Sequence, residues 1–335
     1  MPAAPCSACR AAECAPPNLL PSLRLRRPTL LIVGCGDIGL RVLRLLAGRW
    51  RVLALTSTPE RLRLLRGAGA VPLLGDLDDV ATLARLAGLA DAVLHLAPPA
   101  ADGATDRRTA HLLAALARSA RLQCLIYVST SGVYGDAAGA RVDETRSVAP
   151  ATPRAQRRVD AERRVRRHGR LHAARVCILR APGIYGLDRP GGDPRERLRR
   201  GTPLLTAQDD VYTNHVHADD LAQACVAAML RGKPQRVYHA SDDAQTTMGG
   251  HFDAVADAFG LPRAPRLSRS AAAMQLSPMQ MSFLSESRRL DNGRLHNELR
   301  VRLRYPTPTA AWAEAIANAP ANAPANVPIR LPTPA

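Results

Sequence analysis

Short apolar runs alternate with helical stretches along this 335-residue chain, and this alternation restricts the fold more than any other feature. Runs without polar alternation suit strands that are covered on both faces of a sheet, and strand–helix alternation at this spacing produces parallel βαβ units. We therefore predict an α/β fold with a doubly wound parallel sheet. The predicted strands are 30–33, 51–55, 70–74, 92–96, 125–129 and 175–179.

A glycine-rich segment directly follows the first of these runs and opens a helical stretch. In a Gly-x-Gly-x-x-Gly segment, the first glycine permits a tight turn, the second lets the backbone approach a pyrophosphate, and the third lets helix and strand pack closely. The helix N-terminus then offers free N–H groups to the phosphates. In this strand–turn–helix context, the spacing predicts a Rossmann-type dinucleotide-binding loop. Its residues are Gly34, Cys35, Gly36, Asp37, Ile38 and Gly39.

The end of the second predicted strand bears on the choice between NAD and NADP. An acid about 20 residues past the glycines would hold the ribose 2′-hydroxyl and repel a 2′-phosphate. No acid stands there, because Thr56 and Ser57 follow the strand and Arg61 comes next in the helical stretch. Hydroxyls and a guanidinium can bind the extra phosphate, so NADP is favoured over NAD. The alternative is that Thr56 only caps a helix that begins at Pro59.

The net charge of +17 raises the question of nucleic-acid binding. Arginine supplies nearly all of the positive charge, since Lys233 is the only lysine in the sequence. Together with abundant Ala, Gly and Pro, this composition is typical of a GC-rich genome. Proteins that track a phosphate backbone interleave basic side chains with exposed aromatic ones, and only 3% of this chain is aromatic. Nucleic-acid binding is therefore not favoured.

Both ends of the chain lack the periodicity of the middle. Residues 1–28 are predicted to be a disordered leader, and 306–335 a closing helix followed by a disordered tail rich in Pro and Ala. No apolar run approaches the ~20 residues of a membrane span, and no secretory signal is present, so we expect a cytoplasmic protein.

The seven cysteines form two groups. Cys6, Cys9 and Cys14 cluster in the leader, where metal or redox chemistry is the alternative to plain disorder. The other four lie in apolar surroundings and are predicted to be small buried side chains. They are Cys35, Cys124, Cys177 and Cys225.

Five further segments carry a recognisable pattern. They are Gly-Asp-Leu at 75–77, Leu-His-Leu-Ala at 94–97, Tyr-Val-Ser-Thr-Ser-Gly-Val-Tyr-Gly at 127–135, Arg-Ala-Pro-Gly-Ile-Tyr-Gly at 180–186 and Asn-His-Val-His-Ala-Asp-Asp at 214–220. In this order the chain resembles the extended short-chain dehydrogenases/reductases, the NAD-dependent epimerase/dehydratase family, and in particular its atypical members. The resemblance covers residues 29–305 and implies a Rossmann domain with a small substrate lobe built mainly from 186–305. It also implies further cofactor contacts and a homodimer formed through helices. These contacts are Asp76, Leu77, Leu96, Ala97, Pro98, Pro182 and Ile184.

The chain departs from the family at its catalytic pair. In the family, a tyrosine transfers a proton while hydride moves, and a lysine four residues on lowers the pKa of that tyrosine. Here Arg154 falls in the tyrosine slot and Arg158 in the lysine slot, and no Tyr-x-x-x-Lys occurs anywhere in the sequence. Arginine is a poor general acid or base because its pKa stays above ~12. Arg158 can still hold a ribose hydroxyl as a cation.

Other polar residues are candidates for the missing chemistry. Thr130 falls in the slot of the family hydroxyl that binds the reacting oxygen; the alternative is a strand-end hydroxyl bonded to backbone. Tyr134 and Tyr185 are candidate replacement acids, and the alternative role of Tyr134 is packing. We assign His215 and His217 to opposite faces of an extended segment, do not expect them to form a metal-binding pair, and predict no metal site. Segment 282–292 is expected in the substrate lobe. The substrate contacts predicted are Ser131, Tyr185, Arg195 and His215, with Arg197 as an alternative to Arg195.

These observations predict an NAD(P)-binding oxidoreductase or sugar-epimerase/dehydratase-like enzyme with a modified acid/base apparatus. Its substrate would be small, and an anion is one candidate because arginines stand near the expected cleft. The alternative is a catalytically silent NADP(H)-binding redox sensor, which the loss of the tyrosine and lysine favours.

Overall fold

Strands and helices alternate through residues 27–318, the part of the chain that the structure, a computed structural model, describes. The strands are β1 (Thr29–Val33), β2 (Arg51–Thr56), β3 (Val71–Leu74), β4 (Ala92–His95), β5 (Cys124–Thr130), β6 (Arg141–Val142), β7 (Arg175–Ala181), β8 (Gly183–Tyr185), β9 (Leu204–Leu205), β10 (Tyr212–Thr213), β11 (His215–His217), β12 (Arg236–His239), β13 (Thr246–Thr247), β14 (Arg266–Leu267) and β15 (Arg289–Leu290). The α-helices are α1 (Asp37–Leu46), α2 (Arg61–Gly67), α3 (Arg107–Leu116), α4 (Pro153–Leu171), α5 (Pro194–Arg199), α6 (Ala218–Arg231), α7 (Met248–Phe259), α8 (Arg269–Gln275), α9 (Pro278–Leu284), α10 (Gly293–Asn297) and α11 (Pro308–Ala317).

Seven strands form one central parallel sheet in the order β12-β7-β5-β4-β1-β2-β3. The chain leaves β1 toward β2 and β3 on one side, and then returns to β4, β5, β7 and β12 on the other side. In open sheets of this kind, the crevice at the carboxyl ends of the strands, where the order reverses, is the place where ligands bind. The fold is the predicted doubly wound, Rossmann-type sheet.

Apolar side chains cover both faces of this sheet. Leu30 and Ile32 of β1 belong to the core under α1 and α6. Leu31 and Val33 point to the opposite face and pack with residues of α3 and α4. All four side chains are fully buried. The continuous apolar runs in the sequence therefore arise because each strand is covered on both sides.

Two local features differ from the prediction. The stretch expected as a helix after β3 is a 3₁₀ helix, Val80–Leu86, which begins where the side chain of Asp79 accepts the N–H of Ala81. Strand β12 was not predicted, because only Val237 and Tyr238 in it are apolar. Two apolar residues are too few to show the strand pattern.

A smaller lobe follows β7 and has its own apolar core. Side chains from α5, α7 and α11 meet there. The proposed domain limits of 1–28, 29–305 and 306–335 remain predictions. The largest of the core side chains are Tyr185, Phe252, Tyr305 and Trp312.

The four cysteines that the structure describes are buried, as predicted. Burial raises the pKa of Cys35 to about 11, so its thiol is unreactive near neutral pH. Cys6, Cys9 and Cys14, the predicted leader up to residue 26 and the tail from residue 319 lie outside the described residues. Among residues 27–318, none of the helices combines the length and the apolar character needed to cross a bilayer.

Candidate active site

The glycine loop between β1 and α1 has the geometry that each glycine position requires. Gly34 has a φ of +80°, and a Cβ there would lie 2.6 Å from the backbone nitrogen of Ala97. Gly36 faces open space, since no described atom lies within 4 Å of a Cβ built on it. A Cβ on Gly39 would lie 2.8 Å from Sγ of Cys35, so α1 packs directly on the loop. These positions match a tight turn, a ligand approach and a helix contact.

The first turn of α1 is open to an anion. Gly36 is the N-cap residue, and no side chain of the described chain caps the N–H groups of this turn. Such a helix end offers N–H donors and a partial positive charge. The carboxylate of Asp37 in the same turn is compensated by Arg41 at 3.0 Å and Arg189 at 3.1 Å. The loop and helix together therefore fit a pyrophosphate.

A groove of ≈ 300 Å³ runs from the glycine loop along the carboxyl ends of β2, β3 and β4. Arg61 of α2 lies in its wall and donates a hydrogen bond to the Cys35 carbonyl at 2.9 Å. The Oγ1 of Thr56 accepts the N–H of Thr58 at 3.2 Å and so closes a turn. Helix α2 begins at Arg61, without a side-chain cap among the described residues. The alternative role of Thr56 as a helix cap is therefore wrong.

Most residues predicted for the cofactor line this groove. Ile38 and Leu96 instead belong to, or pack against, the apolar core behind it. The carbonyl of Ile184 accepts a hydrogen bond from Arg189 at 3.1 Å, outside the groove. The predicted residues that line the groove are Gly34, Cys35, Gly36, Thr56, Ser57, Arg61, Asp76, Leu77, Ala97 and Pro98.

A second cleft, of ≈ 410 Å³, lies at the carboxyl ends of β5 and β7. Thr130 and Ser131 line it from the end of β5, and Pro182 from the end of β7. Arg154 and Arg158 line it from α4. With His215, which also lines it, the structure therefore brings six predicted site residues into one cleft. The other lining residues are Gly132, Thr152, Ala155, Gly183, Arg197, Tyr212, Thr213, Asn214, Met248, Phe252, Ser282, Phe283, Glu286 and Arg288.

Thr130 presents a hydroxyl proton to this cleft. Its Oγ1 accepts the N–H of Gly132 at 3.2 Å, and its O–H has no acceptor within residues 27–318. Arg158 donates to Oη of Tyr127 and to the carbonyl of Val128, both at 3.0 Å. These bonds fix the guanidinium against β5. Thr130 is thus both bonded to backbone and available as a donor, so its two expected roles are compatible.

His215 forms a neutral part of the cleft wall. It is 9% exposed and stacks on His251, with ring centroids 3.9 Å apart. Burial lowers the pKa of His215 to about 4, so the ring is uncharged at pH 7. Its Nδ1 has no hydrogen-bond partner in the part of the chain described. Tyr212 of β10 lines the same cleft, and the guanidinium of Arg289 lies over its ring at 4.9 Å.

Tyr134 does not line the cleft, which corrects the expectation of a replacement acid there. Its side chain is 1% exposed, and Arg180 donates to its hydroxyl at 2.7 Å. The hydroxyl donates to Nε2 of His239 at 2.6 Å, because Nδ1 of that ring donates to the carbonyl of Asp291 at 2.7 Å. Burial raises the pKa of Tyr134 to about 12. This side chain has the packing role that was its alternative.

Tyr185 and Arg195 also lie outside the cleft, contrary to expectation. Tyr185 lines a separate cavity of ≈ 270 Å³, together with His217 of the paired strand β11. Arg195 is 4% exposed and pairs with Asp193 at 2.7 Å at the start of α5. Two positions further along α5, Arg197 lines the cleft. Residues two apart on a helix face different ways, and the structure selects the second arginine.

Several residues of the cleft wall carried no sequence signal as site residues. They come from three short segments that are far apart in the chain. The third segment lies within 282–292, which was expected in the substrate lobe, although none of its residues was predicted as a contact. Only their meeting in the smaller lobe makes them neighbours. They are Tyr212, Met248, Phe252, Phe283, Glu286 and Arg288.

The described part of the chain contains no cluster of side chains suited to bind a metal ion. Among residues 27–318, no three His, Cys, Asp or Glu side chains converge in a set that could hold a metal ion. His215 and His217 line different cavities, although residues two apart on a strand share a face, so the opposite faces predicted for them from the sequence are wrong.

The chain belongs to the NAD-dependent epimerase/dehydratase family, whose family model matches residues 30–240. Protein YeeZ of Escherichia coli strain K12 is 28% identical over 290 residues, which are 83% of this chain and 96% of that protein. Human dTDP-D-glucose 4,6-dehydratase is 28% identical over 137 residues. That match spans only 38% of this chain and 38% of the human enzyme.

Solved structures show the same architecture over nearly the whole described chain. A protein of unknown function from Silicibacter pomeroyi superposes with a TM-score of 0.72 at 32% identity, over 87% of this chain and 99% of that one. UDP-glucose 4-epimerase of Thermus thermophilus, in complex with NAD, gives a TM-score of 0.69 at 22% identity, over 87% and 99% of the two chains. Because its sequence identity is only 22%, the similarity to the UDP-glucose 4-epimerase establishes the fold alone.

Proposed function

We propose that the protein is an NAD(P)-dependent enzyme of the epimerase or reductase type, acting on a small anionic substrate. One observation carries the proposal: an arginine-lined cleft that contains Thr130 and Arg158 shares the carboxyl edge of the sheet with a groove that fits a dinucleotide. This edge, at the reversal of strand order, is where α/β proteins bind ligands. A nicotinamide nucleotide, when bound, supplies or accepts the hydride.

NADP is the proposed cofactor and NAD the alternative. The glycine loop and the first turn of α1 would hold the pyrophosphate. Arg61 stands in the groove wall with Thr56 and Ser57, where a cation and hydroxyls would favour a 2′-phosphate. Arg158 would hold a ribose hydroxyl in the place of the family lysine. The structures of similar epimerases and dehydratases that contain NAD support a dinucleotide at this edge.

Proton transfer needs a group other than Arg154. A guanidinium keeps its proton throughout the working pH range, so it can attract an anion but cannot exchange a proton with the substrate. Tyr212 supplies a phenol in the cleft wall, the same functional group that the family tyrosine uses. We assign the proton step to Tyr212. Thr130 would donate a hydrogen bond to the reacting oxygen, and neutral His215 would complete the polar wall.

A Tyr212→Phe variant tests this assignment. We expect kcat to fall about 100-fold or more because the proton carrier is lost, while the affinity for NADPH stays unchanged. The measurement is a screen of hydroxy acids, oxo acids and sugar acids as substrates. Oxidation or formation of NADPH is monitored through nicotinamide fluorescence. Tyr134→Phe is the matched control, since Tyr134 lies outside the cleft; it should lower stability but keep kcat. Full kcat in Tyr212→Phe would refute the assignment.

A redox sensor is the second candidate function. The replacement of the tyrosine and lysine by Arg154 and Arg158 favours it. The same screen separates the two functions. A sensor would bind NADPH, would turn over none of the acids, and would show different protease sensitivity with NADPH and with NADP⁺.

A further inference from the structure

Two arginines of the cleft are stacked on aromatic rings. The guanidinium of Arg154, on α4, lies over the ring of Phe283, on α9, at 5.1 Å. The guanidinium of Arg197, on α5, lies over the ring of Phe252, on α7, at 5.3 Å. All four side chains line the cleft. Stacking on a ring holds a planar guanidinium in place and leaves its N–H edge free to bind a carboxylate or phosphate in a bidentate way.

Neither of these arginines has an acidic partner among residues 27–318. The Nε of Arg197 is buried and bonded to nothing described, and its NH2 nitrogen donates only to the carbonyl of Pro203 at 3.0 Å. Burial, and then the charge of nearby Arg200, lower the pKa of Arg197. Arg154 has its aromatic contact and no carboxylate. Arg154 is exposed and so is accessible to a ligand, whereas Arg197 is partly buried. A partly buried cation without a counterion is costly, unless a ligand supplies the negative charge.

The remaining charges of the wall do not neutralise the two stacked arginines. Glu286 is the only carboxylate among the described residues that line the cleft. It pairs with Arg288 at 2.7 Å, and these two side chains are 13% and 11% exposed. Arg158 is bonded to uncharged oxygens. Four arginines against one carboxylate leave three positive charges in excess, more than a single anionic group would balance.

We propose that the substrate is a compact acid with two anionic groups, called a dianion below, either a dicarboxylate or a phosphorylated acid. Arg154 binds one anionic group and Arg197 binds the other, which leaves Thr130 for the reacting oxygen. The inference rests on the proposed function and names the substrate class of the same cleft. The cleft of ≈ 410 Å³ must also take the reacting end of the cofactor, which favours a small acid over a substrate that carries its own nucleotide.

The test is calorimetric titration of the full-length protein with named acids at physiological ionic strength, where unspecific attraction is screened. The dianions are malate, 2-oxoglutarate and 3-phosphoglycerate, and the matched monoanions are lactate and pyruvate. UDP-glucose is the nucleotide-bearing probe. We expect at least one dianion to bind tenfold or more tightly than every monoanion and more tightly than UDP-glucose. Equal binding of dianions and monoanions, or tightest binding of UDP-glucose, would overturn the proposal.

Variants locate the two anion positions. Arg154→Met and Arg197→Met keep a long side chain against the aromatic ring but remove the guanidinium group. Each variant is expected to bind the dianion about 10- to 100-fold more weakly. Arg199→Met, an exposed arginine on the same helix as Arg197, is the matched control and should bind as the unchanged protein does. Thermal unfolding shows whether each variant is folded. Unchanged dianion affinity in both folded cleft variants would contradict the assignment.

NADPH titrations of the same proteins keep the two proposals apart. If NADPH binds and no dianion does, the substrate inference fails while the proposed function stands. If a dianion binds through the two arginines and neither NADPH nor NADH does, the proposed function fails and the anion site stands by itself.

Discussion

A Glu162→Leu variant is expected to have a free energy of unfolding about 3–5 kcal/mol below that of the unchanged protein. Glu162 of α4 and Arg180 of β7 form a bidentate pair, with distances of 3.0 and 2.7 Å. The two side chains are 5% and 4% exposed. Removing the carboxylate leaves the guanidinium buried without its counterion, and desolvation of an unpaired charge is the main cost.

The loss should spread beyond this pair. Arg180 also donates to the hydroxyl of Tyr134, which in turn donates to His239, so one guanidinium joins α4, β7, β12 and the turn after β5. Urea unfolding measures the effect. Arg263→Ala is the control, because Arg263 and Asp257 form a pair that is 59% and 61% exposed, and it should cost less than about 1 kcal/mol. A similar small cost for Glu162→Leu would show that the buried pair adds little.

Stability is also expected to fall steeply as pH drops from about 6.5 toward 4. Burial lowers the pKa of six histidines, to about 3 for His95 and about 4 for four others, against 6.5 for an unperturbed ring. A histidine with a depressed folded-state pKa gives its full stability above 6.5, and loses it as pH falls toward the folded-state pKa, because the unfolded ring takes up the proton first. The four histidines with a pKa of about 4 are His168, His215, His217 and His239. The sixth is His251, whose pKa burial also lowers.

Three buried carboxyls act in the opposite direction. Burial raises the pKa of Glu144 and Asp220, and raises that of Asp242 to about 8, so folding favours their protonated forms. The six imidazoles outnumber these carboxyls, so unfolding takes up protons on balance between pH 6.5 and 4. Each proton of net uptake contributes about 1.4 kcal/mol per pH unit to the slope. A net uptake of a few protons would remove a typical stability of about 5–15 kcal/mol within a few pH units.

Urea unfolding at several pH values between 7.5 and about 4.5 measures this slope. His251→Phe is the informative variant, because His251 is 4% exposed and packs beside Phe252 and Trp312. A phenyl ring keeps the packing and cannot take up a proton, so the slope should decrease by about one proton. A stability that stays constant between pH 7 and 5 would contradict the account of the buried histidines.

The central sheet is predictable from sequence because its strands are buried on both faces. Each such strand is a short apolar run, and β1 and β5 are found in this way without any motif. The pattern fails for β12, where packing at the edge of the sheet requires only Val237 and Tyr238 to be apolar. It also cannot separate a 3₁₀ helix from an α-helix at Val80–Leu86, since apolar side chains recur in both.

The candidate site is predictable only where its residues are close together in the chain. The glycine loop is one local segment, and its three glycines have distinct steric surroundings. The cleft wall is assembled from distant pieces, so Tyr212 gave no signal, and Arg288 was expected in the substrate lobe without being recognised as a residue of the cleft wall. A motif also places a residue on a turn without giving the direction of its side chain. For that reason Tyr134 appeared to be a catalytic candidate, although its hydroxyl is bonded inside the core.

The most direct test of the account is a titration of the purified full-length protein with NADPH and NADH. Binding is measured by nicotinamide fluorescence and by calorimetry. We predict saturable binding of one dinucleotide per chain, tighter for NADPH than for NADH. Gly36→Asp should fold, since the position faces open space, and should lose binding because it puts a carboxylate where the pyrophosphate lies. Gly67→Asp, at another open and exposed glycine, should bind normally. No binding of either nucleotide, or equal binding by Gly36→Asp, would contradict the account.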